Sequence, residues 1–206
     1  MSATRKVFCT LMVAAILIEL CDCQIVLYGS CDKQKVTAKK DFKMEQYVGR
    51  WYEQERYFMS SELGLVCVIA EYTMMPGKDS IQVNNSGVQS STSEVVTVIG
   101  RGYAPDPAQP AKLLIEFSGG EPAGPLWIIE TDYTDYAVAY ACTDVGPYRL
   151  VASWLLSRQP KGFSHQSMEA IERVLRSNGI LKEPFEHVDQ TACPQKVTQL
   201  AELENP

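Results

Sequence analysis

Asp132 and Asp135 stand three residues apart in "TDYTDY" (131–136), a spacing at which one carboxylate can serve as general acid and the other as general base. They fall in a turn between two β-type runs and no partner base lies nearby in sequence. Fixing the turn is therefore the better reading, since an Asp there accepts backbone N–H groups. Metal chemistry has little to work with. The four cysteines beyond the N-terminal leader are Cys31, Cys67, Cys142 and Cys193; none has a close-spaced partner, and only His165 and His187 could assist. An even count in an exported chain reads instead as two disulfides, with three pairings open. The chain has no G-x-S-x-G, H-E-x-x-H or phosphate-binding loop, so no catalytic residue is assigned and an enzyme is not expected. Met74 and Met75 offer thioethers that could reduce peroxidised lipid, although Met-Met beside a turn reads more plainly as exposed sequence.

The compartment follows from the first 23 residues. Arg5 and Lys6 precede the apolar run "VFCTLMVAAILIEL", and "CDC" follows it, the pattern of a signal peptide cleaved near Gln24. The run is short for a bilayer and Glu19 interrupts it, and no later segment is apolar enough to span. The expectation is a secreted, extracellular protein, with residues 1–23 as leader and 24–206 as one domain. Removing the leader takes two charges of each sign, so the net charge stays at −6. An acidic chain without basic clusters is a poor match for nucleic acid or an anionic membrane. Asn84-Asn85-Ser86 is a glycosylation sequon, expected in a loop or at a strand end.

Residues that must position any site come in short β-type runs near 50–58, 66–74, 80–84, 93–103, 111–117, 125–131, 135–143 and 148–157. Turn chemistry separates them: "MPGKD" (75–79), "NNSG" (84–87), "APDPAQP" (104–110), "SGGEPAGP" (118–125) and "TDVGP" (143–147). Eight strands joined mostly by hairpin-like turns describe an antiparallel up-and-down β-barrel, mostly β in class, wide enough for one small ligand. One amphipathic helix follows from Ser164 to Ser177, with Met168, Ile171, Val174 and Leu175 on one face; Ser164 caps it and Asn178-Gly179 ends it. It is expected to pack outside the barrel.

Three segments carry a family resemblance. "YVGRWYE" (47–53) enters the first strand, "LWIIETDYTDYAVAYAC" (126–142) holds the turn between the sixth and seventh, and "SRQP" (157–160) ends the eighth. In this order and spacing, with "PAKL" (110–113) between them, they resemble the lipocalin family, and more narrowly its apolipoprotein D and Lazarillo-like branch. The resemblance covers about residues 31–193. It implies a barrel plugged at one end by Trp51, with Gly49 turning the chain in before it, Arg158 lying across the indole, and Thr131, Asp132 and Tyr133 in a turn at the same end. It also implies the pairings Cys31–Cys142 and Cys67–Cys193.

The same resemblance implies a secreted carrier of a small hydrophobic ligand (fatty acid, sterol or related lipid), with loops at the open end gating entry. Tyr47, Tyr72, Val83, Asn85 and Trp154 match positions that line the cup, and alternation adds Trp127 as a wall residue. No cofactor is expected; the alternative within the family is a bilin-binding chromoprotein holding a tetrapyrrole such as biliverdin. A cell-surface receptor is a further partner the family implies, and the oligomeric state is left open. Glu53 and Glu55 share the face of Trp51 by alternation, and an inward carboxylate would need a partner such as Arg56 or Arg101.

Overall fold

The computed structural model describes residues 25–194 except 78, 120 and 121, so the expected leader over 1–23 lies outside the described residues. The β-type runs form strands β2 (Gly49–Tyr57), β3 (Leu65–Met74), β4 (Ser80–Gln89), β5 (Glu94–Tyr103), β6 (Lys112–Phe117), β7 (Gly124–Thr131), β8 (Tyr136–Val145) and β9 (Tyr148–Ser157). Each pairs antiparallel with the next, and β9 returns to β2 from Tyr52↔Ser157 to Arg56↔Trp154. The sheet is thereby a closed eight-stranded barrel, and closure removes the unpaired edges an open sheet would present. Two strands of four and three residues add to it. β1 (Ile25–Tyr28) pairs with the first half of β9, and β10 (Phe185–His187) pairs with the end of β2.

Alternation sorts most of the buried side chains between two cores, and a small third cluster gathers Cys67, Ile69 and Val88. Ile81, Val83, Leu113, Ile115, Ile128 and Leu156 point into the barrel. Tyr57, Val138, Tyr140, Val151 and Leu155 point out, where Ile171 and Leu175 of the long helix cover them. That helix, α2 (His165–Asn178), follows a single turn, α1 (Met44–Tyr47), much earlier in the chain. Ser164 Oγ accepts from Ser167 N at 3.2 Å to cap its start. At its end Gly179 takes the left-handed conformation, and Ile180 N donates to Leu175 O at 2.9 Å.

The tetrapeptide "NNSG" is not the turn its composition predicts. Residues 84–87 run through the middle of β4, paired with β3 on one side and β5 on the other. A ladder satisfied on both sides outweighs the weak strand preference of Asn and Gly. Gly87 has a packing reason: a Cβ there would stand 3.2 Å from Val68 Cγ2 and 3.4 Å from Val66 O. The neighbouring chain comes this close because β3 is irregular between Val66 and Ile69, with Cys67 at φ 54°. The sequon thus lies in mid-strand, with Asn84 half-exposed on the outer face opposite Glu71 and Ile99.

That irregularity turns Cys67 outward to Cys193, and the second bridge joins Cys31 to Cys142. Both pairings are those the family resemblance implies. One ties the N-terminal arm to β8; the other ties the segment after β10 to β3. They span 111 and 126 residues, for which loop-closure entropy corresponds to about 4–5 kcal/mol each. Replacing Cys67 and Cys193 together by Ser should lower unfolding stability by about 4 kcal/mol. Urea denaturation under non-reducing conditions measures this, and a loss under about 1 kcal/mol would show that the bridge adds little to folding.

Candidate functional site

The closed end is built around one guanidinium. Arg158, just past β9, places its Cζ 3.7 Å from the ring centre of Trp51. Its Nε donates to Tyr133 O (2.9 Å), its Nη1 to Arg50 O (2.8 Å), and its Nη2 to Tyr47 O (3.1 Å) and Val48 O (2.9 Å). Gly49 makes this approach possible: its φ is +93°, and a Cβ there would meet Arg158 Nη1 at 3.2 Å. Trp51 is fully buried and donates its Nε1–H to Tyr47 O at 2.9 Å. Burial pulls the Arg158 pKa down from its ordinary value, but a guanidinium so placed remains charged at neutral pH.

The turn at 131–136 supplies the other half of this floor. Asp132 Oδ1 accepts from the backbone N–H groups of Thr134 (3.1 Å), Asp135 (2.8 Å) and Tyr136 (3.0 Å), the turn-fixing role the sequence predicts. Buried Thr131 donates its hydroxyl to Tyr136 O at 2.7 Å and accepts from Tyr133 N at 2.9 Å. These bonds hold Tyr133 at φ 67°, and its carbonyl then meets Arg158. Asp135 serves the helix: Ser167 Oγ donates to its Oδ2 at 2.5 Å. The two carboxylates are thus each committed to structure.

Above the floor the barrel is a cup of mixed chemistry. Tyr47 stacks on Tyr72 with ring centres 5.5 Å apart, and Val83 lies with them in the inner core. Tyr47 hydroxyl and Asn85 Oδ1 are buried without a hydrogen-bond partner among the described residues. Higher up, Arg56 Nη1 donates to Glu53 Oε1 at 2.7 Å, and Arg56 Nε lies 3.6 Å from Glu62 Oε2. Its Nη2 donates to the main-chain oxygens of Glu62 (2.8 Å) and Leu65 (3.2 Å). Trp154 Nε1 points at Glu62 Oε2 from 3.4 Å. Two carboxylates therefore share one guanidinium. Burial first, then the charge of Glu62, push the Glu53 pKa up to about 8 against the pull of Arg56. Burial likewise raises Glu62, again opposed by Arg56.

This cluster is the functional feature that alternation misplaces. β2 bulges between Glu53 and Glu55 where it pairs with β9, so the facing of its side chains changes there. Glu53 and Arg56 turn in, while Glu55 turns out to an ion pair with Lys182. Arg56 is the partner of Glu53; Arg101 is exposed and faces Glu116. Tyr47, Tyr72, Val83, Asn85 and Trp154 are brought together inside the barrel. Trp127 is not. It packs in the outer core opposite Tyr140, with Lys112 Nζ 4.2 Å above its ring, because Leu126 and Ile128 take the inward positions of β7. Among the described residues there is no cluster of His, Cys, Asp and Glu suited to a metal ion, and no helix long and apolar enough to cross a membrane.

Family comparison agrees with this geometry. The model of the "Lipocalin / cytosolic fatty-acid binding protein family" matches residues 48–192. The chain belongs to this family. Among lipocalin relatives, apolipoprotein D of Mus musculus is 33% identical over 167 residues, covering 81% of this chain and 85% of that protein. The Lazarillo protein of Schistocerca americana is 30% identical over 178 residues, with 82% of each chain covered. Among solved structures, insecticyanin from Manduca sexta superposes with a TM-score of 0.70 at 25% identity, covering 81% of this chain and 89% of that one. Lobster apocrustacyanin A1, at TM-score 0.68 and 24% identity over 83% and 94% of the two chains, shares the fold.

Two outcomes test the lipocalin floor and cup. Arg158→Lys keeps a charge but loses the planar fork and the stack, and should cost about 2–4 kcal/mol, lowering the melting temperature by about 5–12 °C. A shift under about 2 °C would refute the clamp. Glu53 bears on pH. Its folded pKa lies above the unfolded value, so the folded state keeps a proton that the unfolded chain has released. The resulting stabilisation is full below about 4.5 and is lost as pH rises through about 8. Glu53→Gln should therefore flatten the fall in melting temperature between pH 5.5 and 8.5; equal slopes in the two proteins would reject the assignment.

Proposed function

We propose that this protein is a secreted, non-enzymatic carrier that holds one small hydrophobic molecule in its barrel. The observation that carries the reading is the cup itself: a sealed aromatic floor beneath an interior where Tyr47 hydroxyl and Asn85 Oδ1 have no partner among the described residues. Apolar walls supply the driving force for uptake, and a few convergent polar atoms set the pose. The relatives named apolipoprotein D support the same class. Four cysteines committed to disulfides fit an oxidising, extracellular setting.

The polar cluster narrows the ligand. Arg56 is already shared by Glu53 and Glu62, and Glu53 keeps its proton at neutral pH, so a third buried carboxylate, from a fatty acid, finds no unshared cation to balance its charge. A neutral lipid with a hydroxyl or carbonyl, such as a sterol, meets a donor at Tyr47 and acceptors at Asn85 and Glu62. The preferred occupant is thus a neutral amphipathic lipid.

A fluorescence titration of the oxidised protein against a sterol, retinol, arachidonic acid and biliverdin checks this. Trp154 is the reporter inside the cup. The sterol should quench saturably at one equivalent and bind at least ten-fold more tightly than arachidonic acid, and Trp154→Phe should abolish most of the signal. Stronger binding of the fatty acid would overturn the neutral-lipid preference. Biliverdin binding alone, with a shifted visible band, would make the protein a chromoprotein, and saturation by none of the four would remove the carrier reading.

A further inference from the structure

A cavity lies outside the barrel, between β1, the segment after Cys31 and the chain leaving α2. It measures about 280 Å³. Leu27, Val36, Tyr57, Tyr140, Val151 and Ile180 give it apolar walls. Tyr57, Tyr140, Val151 and Ile180 belong to the outer core, so the barrel wall separates this cavity from the cup.

Its charged lining is of one sign. Lys33, Lys35 and Arg149 line it, and no Asp or Glu does. Two of its buried donors, Arg149 Nε and Gln34 Nε2, have no partner among the described residues. The neighbouring atoms explain why. Arg149 Nη1 is occupied by Tyr28 O (3.2 Å) and Ser30 O (3.5 Å), which fixes the guanidinium while leaving Nε unused. Tyr140 hydroxyl donates to Gln34 Oε1 at 2.6 Å, which turns the amide nitrogen away from the one side chain that anchors it. A buried donor left unpaired costs about 1–3 kcal/mol, which an acceptor arriving from solution recovers.

We propose that this outer cavity is a second ligand site, taking a small amphiphile with one anionic head. The head, a carboxylate, is received by Arg149 and Gln34 with Lys33 and Lys35 at hand, and the tail lies along Val151 and Ile180. At about 280 Å³ the half-open cavity suits a short chain of about eight carbons better than the bulk of a sterol. The two sites are opposite in preference: the inner cup disfavours a carboxylate, and the outer cavity requires one.

Octanoate is the probe, with octanol as its neutral counterpart. Each is titrated into the oxidised, isotope-labelled protein and followed by NMR at the Gln34 side-chain amide and the Val151 and Ile180 methyls. Octanoate should shift these resonances saturably, and octanol should bind at least five-fold more weakly. Arg149→Met should weaken octanoate at least five-fold while leaving octanol unchanged, and Gln34→Leu gives the same contrast should the first variant fold poorly. The proposal is overturned by shifts confined to Val83 and Asn85 in the cup, by equal affinity for the two probes, or by no shift at 10 mM octanoate, roughly the mM limit of a weak site. Contacts from residues 195–206 to Ile180 in the ligand-free protein would also overturn it, by assigning the cavity to the chain's own tail.

Discussion

The Arg158 guanidinium is the point through which separate parts of the chain are held together at the closed end. It touches the entry segment before β2, the turn between β7 and β8, and the indole at the base of the barrel at once. Val48 O and Tyr133 O lie outside the strands, and Arg50 lies in β2 before its pairing with β9 begins at Tyr52. A planar fork with several fixed donors satisfies them together, and its flat face shields Trp51 from water. Lysine offers a point charge and no plane. The glycine at 49 follows from the same demand: the chain must pass close under the guanidinium at a backbone angle that a side chain would resist.

A sealed floor changes what the rest of the interior can hold. With Trp51 sealing the base and Tyr47 and Tyr72 stacked above it, the upper barrel carries polar groups that a purely apolar core would not tolerate. The Glu53–Arg56–Glu62 cluster is costly to bury, and its geometry meets part of that cost by giving Arg56 four oxygens to face. The surplus carboxylate is not neutralised by any described neighbour, and so it is the proton on Glu53 that adjusts. A fold selected for stability alone would gain by replacing the cluster with packed apolar side chains. Trp154 faces the same cluster, its Nε1 3.4 Å from Glu62 Oε2, so the indole and the acidic group share one part of the interior.

Much of this was legible in the sequence, for identifiable reasons. Strong β runs with explicit turns placed all eight barrel strands to within a residue or two, except the end of β4. Ser164 and Gly179 bounded the helix because capping is local chemistry. The floor was legible through the family resemblance that Gly49-x-Trp51, the 131–133 turn and Arg158 carry together, not through any one of them. What sequence did not carry was anything decided by the partner strand. A bulge in β2 reverses the alternation after Glu53, so Glu55 and Arg56 exchange faces. Gln54 to Arg56 contains no residue that marks a bulge. "NNSG" reads as a turn until strands on both sides claim its hydrogen bonds. Trp127 is as apolar as a cup residue should be, but the inner positions of β7 belong to Leu126 and Ile128. β1 and β10 are too short to leave a period.

The two faces of the barrel wall then divide the chemistry between them. From β8 and β9 the inward side chains are small or apolar, Ala137, Ala139 and Leu156, with Trp154 at the rim of an acidic cluster. The outward ones, Tyr140 and Val151, join Arg149 under the N-terminal arm in a basic, half-covered groove. A strand's period of two makes such a division available without any change in backbone, since neighbouring residues face different solvents. Disulfide Cys31–Cys142 makes the outer face usable. It fixes the arm across β8 and thereby turns an exposed patch of wall into a half-covered cavity. Reducing that bridge therefore acts on the outer cavity before it acts on the cup, because the barrel's own hydrogen-bonded closure from β9 to β2 does not pass through it.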